Sequence, residues 1–252
     1  MPGSAYLAIS GTAVSDATVT LRHTILVRLT HWTTVLCFLA LLLSGIEIVI
    51  SHPRFYWGEV GNVTTPPLFK IPIPSSRATV PTGYGYVLPD QNGWSRYLHF
   101  QAAWLVFFTG LIYGIAGWLS GHFRRNLLPV RSDVSWHSLY FVLARHLRVV
   151  RAPEAAGSYN VLQRLTYLAV IFVLFPLVLW TGLAMSPGIT SAVPLMVTSL
   201  GGQQSARTLH FFVSVVLVFF LLIHITMVCL SGFRNRMRAM ITGGRASYRE
   251  GL

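Results

Sequence analysis

The chain is short of charge, and shortest of acid. Only 10% of its 252 residues are charged, where a soluble domain averages about a quarter. Seven residues are Asp or Glu, against 19 Lys or Arg, so the net charge is +12. Only Glu47 falls inside an apolar run, near one end of it. A proton-coupled carrier usually shows buried Asp or Glu, so that class has little to work with here. Cysteine is equally scarce. Cys37 and Cys229 both lie in apolar runs and neither belongs to a CxxC or zinc spacing. They read as small apolar filler, with no disulfide framework. Internal repeats of the solenoid kind are absent as well.

What remains is apolar: 53% of residues are hydrophobic and the mean hydropathy is +0.58. Four runs, about Leu26 to Ile50, Tyr97 to Leu119, Leu165 to Met185 and Thr208 to Gly232, approach the roughly 20 residues that cross a hydrocarbon core. In lipid the backbone must satisfy its own hydrogen bonds, so helices are expected. The first run is too long for a signal peptide and lacks a small-residue cleavage site after it. These features predict an all-α membrane protein, a bundle of four transmembrane helices. The expected organisation is a loose tail over 1–21, a transmembrane domain over 22–238 and a basic tail over 239–252. Loops over 51–95 and 120–164 interrupt the domain.

A basic chain could bind nucleic acid, but the positions argue for topology instead. If the crossings alternate, one side holds both termini and the 120–164 loop, with 14 of the arginines. The other side holds Arg54, Lys70, Arg77, Arg96 and Arg207. This asymmetry predicts that both termini are cytoplasmic. The 51–95 loop then faces outward. Its seven prolines and many aromatics suit an ordered cap, and the residues leave open whether it is a docking surface or a lid. On the inner side WHSLYFVLARHLRVVR, Trp136 to Arg151, predicts a helix lying in the interface, with His137 and His146 as interfacial polar groups.

Four histidines stand out against this apolar background: His31, His99, His210 and His224. Polar groups inside a membrane are costly and point to function by default. His210 and His224 share one run at a spacing of 14 residues, which nearly closes on a helix face and separates them by about 21 Å. Helix direction assigns depths. His31 and His224 fall near the inner side, and His99 and His210 near the outer side. Two imidazoles from facing helices suit the axial positions of a flat haem in a bundle. A zinc or copper site would gather its ligands at one depth, with Cys, Met or carboxylate help. Gly45, Gly110, Gly114, Gly117 and Gly182 offer room for a macrocycle, or for close helix packing. Arg28, Arg96 and Arg207 each precede a histidine by three residues, on the same helix face. Two roles stay open for them, pairing with haem propionates or snorkelling to the interface.

Taken together, these residues resemble the two-haem, four-helix cytochrome b subunits of bacterial respiratory complexes. Those subunits serve formate dehydrogenases, nickel-iron hydrogenases and thiosulfate reductase-type molybdoenzymes, and include the prokaryotic cytochrome b561-like proteins. The resemblance runs through Arg28, His31 and Trp32, then Arg96 and His99. It continues through YNVLQRLTY from Tyr159 to Tyr167, the Thr181-Gly182-Leu183 close of the third helix, Arg207, His210 and His224. HPRFYWGE, His52 to Glu59, is similar to the thiosulfate reductase-type branch, although the long outer loop departs from the hydrogenase and formate dehydrogenase versions. His52 itself is not expected to be a haem ligand. The resemblance implies two b haems on the four histidines and a quinone pocket, for ubiquinone or menaquinone, at Asn160 with Gln163 one turn on. N-capping would explain Asn160 equally. The expected partners are a catalytic redox subunit carrying molybdopterin or iron–sulfur centres, quinone and membrane lipid, with no nucleic acid.

The expected function is therefore an electron-transfer subunit of the bacterial inner membrane rather than a substrate-specific enzyme. The alternatives are a stand-alone quinol-oxidising cytochrome b561-like protein and a haem-free transporter or scaffold.

Overall fold

The computed structural model describes residues 24–62, 64–72, 91–121, 123, 161–230 and 232–243, with side chains from 94 in the second span and 165 in the third. The N-terminal tail, the 136–151 segment, Asn160, the Gln163 side chain and residues 244–252 lie outside that set. Four of the described helices are long and apolar enough to cross a membrane: Ile25–Ser51, Trp94–Leu119, Leu165–Leu183 and Gln203–Leu230. The protein is a multi-pass helical membrane protein.

Helix α1 (Ile25–Ser51) opens on Thr24, whose hydroxyl accepts from the Val27 N–H at 3.4 Å, so a side chain satisfies one of the first orphan donors. It packs along α2 (Gln91–Leu119), which runs the opposite way. The third span is α3 (Val161–Ala169) and α4 (Phe175–Leu183), joined by a π-helical turn over Val170–Leu174. Pro176 explains the join. Its ring would strike the carbonyl four residues back in a regular helix, and the wider turn makes room. After α4 the chain folds through two short helices, α5 (Pro187–Ala192) and α6 (Leu195–Thr198), into α7 (Gln203–Leu230). A last helix, α8 (Phe233–Thr242), follows Gly232, whose φ of +89° turns the chain.

The fourth spanning helix extends ahead of its apolar run to Gln203, because a distant loop caps its polar first turns, and the last helix continues past residue 238 to Thr242.

The packing is inverted relative to a soluble protein. Leu36, Leu43, Ile112, Phe219 and Leu222 are among the many large apolar side chains left exposed, on surfaces that lipid covers. The largest fully buried side chains are hydroxyls: Ser44, Ser51, Ser95, Thr181, Ser205 and Thr208. Lipid tails are as apolar as leucine, so helices gain little by burying leucine. Small residues and hydroxyls bring the backbones together instead.

At the end of the bundle where α1 stops, residues 54–55 and 69–70 form a short antiparallel hairpin of strands β1 and β2. We call this end the hairpin side and the other, where α1 begins, the tail side. The loop after α1 also caps α7. The Gly58 carbonyl accepts from the Gln204 and Ser205 N–H groups at 2.9 and 3.3 Å, and the Gly58 N–H donates to Ser205 Oγ at 2.8 Å. Glu59 Oε2 accepts from the Gln203 N–H at 3.2 Å, and Thr208 Oγ1 donates to the Tyr56 carbonyl at 2.7 Å. The first turns of α7, which would otherwise present bare donors, are thus satisfied across about 150 residues of sequence.

Candidate cofactor site

The four histidines meet in two pairs. On the hairpin side the His99 and His210 rings stand with centroids 6.2 Å apart and planes 65° to each other. On the tail side His31 and His224 stand 6.4 Å apart at 52°. Each pair joins two spans. A metal–imidazole bond is about 2.0–2.1 Å, so two imidazoles that shared one metal would stand with their rings roughly 6 Å apart. Both pairs match that spacing. Among the described residues no cluster of three or more His, Cys, Asp or Glu side chains could hold a metal. Two ligands per site suit a metal whose other positions are filled by a macrocycle.

The hairpin-side rings are held by a repeated device. Ser44 Oγ lies 3.0 Å from His99 Nδ1, and it donates its own proton to the Ala40 carbonyl at 2.7 Å. It therefore accepts from Nδ1–H. Thr181 Oγ1 lies 3.0 Å from His210 Nδ1 and donates to the Leu177 carbonyl at 2.9 Å. The Val178 carbonyl accepts from His210 Nδ1 at 3.1 Å. A carbonyl can only accept, so His210 is protonated at Nδ1 and carries its lone pair on Nε2, the form that binds a metal. Beside each hydroxyl is a glycine. A Cβ on Gly45 would meet His99 Cε1 at 3.7 Å, and one on Gly182 would meet His210 Cε1 at 3.4 Å. Ser44-Gly45 and Thr181-Gly182 thus form the same arrangement on two helices: the hydroxyl orients the ring and the glycine lies against it.

The tail-side pair has aromatic neighbours. Trp32 meets His31 edge to face at 5.5 Å, and Phe220 lies 5.8 Å from His224. Trp32 Nε1 also donates to the Met240 carbonyl at 3.2 Å, and Arg28 Nη2 donates to the Ile241 carbonyl, so the end of α8 is fastened next to this pair.

The three arginines, alike in sequence, differ in place. Arg207 Nη2 donates to the His52 and Arg54 carbonyls at 2.6 and 2.9 Å, and the guanidinium sits 5.1 Å over the Phe55 ring. Arg28 keeps its Nε buried with no hydrogen-bond partner among the described residues. Arg96 is exposed. Of the glycines, Gly117 packs against Phe123, while Gly110 and Gly114 open onto an apolar groove with Leu111, Ile115 and Trp118. His52 lies beyond the end of α1. Burial, then the Arg207 charge and more weakly that of Arg96, hold its imidazole below the ordinary range, against the pull of the Ile48 carbonyl.

The sequence does not mark Ser44, and although Thr181 and the His52–Glu59 segment carry the family resemblance, it does not show that Thr181 reaches His210 or that the loop grips Arg207. The hydroxyl–glycine pairs were a readable signal for Ser44 and Thr181, since each lies one helix away from an Arg-x-x-His step.

Spanning helices that bring imidazoles together in facing pairs define a membrane cytochrome of the b type. The family model for prokaryotic cytochrome b561 matches residues 22–243, and the chain belongs to that family. Membership carries haem b binding and membrane electron transfer, and makes this a multi-pass protein of the bacterial inner membrane. A relative from Azospira oryzae, named "Putative protein-methionine-sulfoxide reductase subunit YedZ1", is 29% identical over 221 residues, covering 86% of this chain and 93% of its own. No solved structure matches the chain significantly.

Proposed function

We propose that the protein holds two b haems and carries electrons between the quinone pool and a soluble catalytic subunit. The observation that carries this reading is the spacing of the two histidine pairs, 6.2 and 6.4 Å between centroids, each within a few tenths of what a shared metal demands. A b haem supplies a one-electron carrier at each pair. The protein contributes the rest. His99 and His210 hold the hairpin-side group with Nδ1 protons pinned by Ser44, Thr181 and Val178. His31 and His224 hold the tail-side group beside Trp32 and Phe220. The buried, unmatched Nε of Arg28 and the exposed guanidinium of Arg96 fit propionate partners. Arg207 is engaged with the loop backbone and acts differently.

With the termini cytoplasmic, as the arginine asymmetry predicts, the tail side faces the cytoplasm and the hairpin side faces the partner. Asn160 and Gln163 form the quinone pocket in this reading, beside the tail-side haem. The partner is a catalytic redox subunit with molybdopterin or iron–sulfur centres. The relative's name, a subunit of a reductase, supports a multi-subunit assembly.

The test is haem content per chain in purified protein. Wild type is expected to carry two, and each single His→Ala variant to lose the haem of its own pair. Two haems in both His210→Ala and His224→Ala would sink the ligand assignment.

A further inference from the structure

Arg207 stands one turn before His210 on the same face of α7. Both of its hydrogen bonds go to backbone carbonyls, of His52 and Arg54, and its flat face lies on Phe55. Among the described residues no carboxylate pairs with it. The acid nearest in the loop sequence, Glu59, has Oε2 on the Gln203 N–H. An arginine stays protonated in a protein, so the loop holds a fixed positive charge beside the hairpin-side pair. The start of α7 adds the positive end of a helix dipole to the same region.

Resting on the two-haem reading, we infer that Arg207 is a potential-setting residue: its charge holds the reduction potential of the hairpin-side haem above the value that haem would have without it. Reduction lowers the positive charge on iron, and a neighbouring cation favours the less positive state. A unit charge about 10 Å away at an effective dielectric of about 20 changes the reduced-to-oxidised ratio by roughly tenfold. For a one-electron couple that is about 59 mV.

The test is a potentiometric titration of the purified, haem-loaded full chain, following the b-type absorbance bands and using His99→Ala to assign the hairpin-side component. Arg207→Gln, which keeps an N–H donor but loses the charge, should lower the potential of that component by about 59 mV, a roughly tenfold change in its reduced-to-oxidised ratio, and leave the other alone. Arg207→Lys, which keeps the charge but not the two-carbonyl grip, should stay within about threefold of wild type. If Arg207→Gln fails to retain haem, the lysine variant decides by the same criterion. Equal falls in both variants, no shift in Arg207→Gln, or haem loss in both overturn the inference. Wild-type protein with no b-type bands, or with one component, would instead fail the two-haem reading itself.

Discussion

Removing the hydroxyl of Ser44 or of Thr181 should have unequal effects, although the two groups do the same work. Among the described residues Ser44 Oγ is the closest partner of His99 Nδ1, at 3.0 Å, and the Leu41 carbonyl is a weaker acceptor beside it. Ser44→Ala leaves that buried N–H only the weaker Leu41 carbonyl, and a donor left poorly satisfied costs up to about 1–3 kcal/mol. Losing a partner that orients a metal ligand typically costs about 10–100-fold in affinity, the same range in other units. His210 is better insured. When Thr181→Ala removes one partner at 3.0 Å, the Val178 carbonyl still accepts from Nδ1 at 3.1 Å. The loss there should stay below about tenfold, near the 0.5–1.5 kcal/mol net value of an ordinary hydrogen bond. The assay is haem dissociation from the purified protein into excess apo-globin, with the hairpin-side component followed by its absorbance. The expected order is wild type slowest, Thr181→Ala intermediate and Ser44→Ala fastest, with the tail-side component unchanged. Equal rates for the two variants, or a faster Thr181→Ala, would refute the claim that the backbone carbonyl is the second anchor.

Three further outcomes follow from other contacts. Gly202 has φ +114°, and a Cβ there would lie 2.6 Å from the Gly58 backbone, which cannot move aside. Gly202→Ala should cost at least the roughly 1–3 kcal/mol of a strained backbone and loosen the loop from α7, seen as a lower melting temperature; wild-type melting would contradict it. The folded protein holds His52 below its ordinary value, so the unfolded chain binds the proton first as pH falls. Its contribution is therefore intact above about pH 6.5 and is lost on acidification through the folded pKa. Melting temperatures measured from pH 8 down to 5 should fall less steeply in His52→Gln, and parallel curves would rule this out. Finally, Arg28→Met with Trp32→Phe removes both bonds to the end of α8, at about 1 kcal/mol each. Protease cleavage at Arg234, Arg236 and Arg238 should rise roughly tenfold or more, and unchanged cleavage would mean that α8 is held otherwise.

The bundle and the pairing of the histidines were legible because both rest on one-dimensional rules. Apolar length marks a span, and helix direction converts sequence position into depth. That was enough to put His31 with His224 and His99 with His210. What sets the rings was harder to see. A lone serine or threonine in an apolar run is common, and only the neighbouring helix shows that Ser44 and Thr181 reach an imidazole. Arg28, Arg96 and Arg207 share one motif, yet one grips a helix end, one is exposed and one is buried in a loop, because each meets a different distant segment. The start of α7 lies ahead of its apolar run for the same reason: its cap is Gly58, remote in sequence. The π-helical turn at Val170–Leu174 had a local sign in Pro176, but hydropathy does not register it.

The hydroxyl–glycine device has an implication for assembly. Ser44-Gly45 and His99 belong to the first pair of helices, Thr181-Gly182 and His210 to the second. Each helical hairpin is therefore a finished half-site, with its imidazole aimed before the other half arrives. Neither half needs the other to set its ligand, but a bound iron would need both. A bound cofactor would then add a further tie between two modules that the loop after α1 and the end of α8 already fasten together.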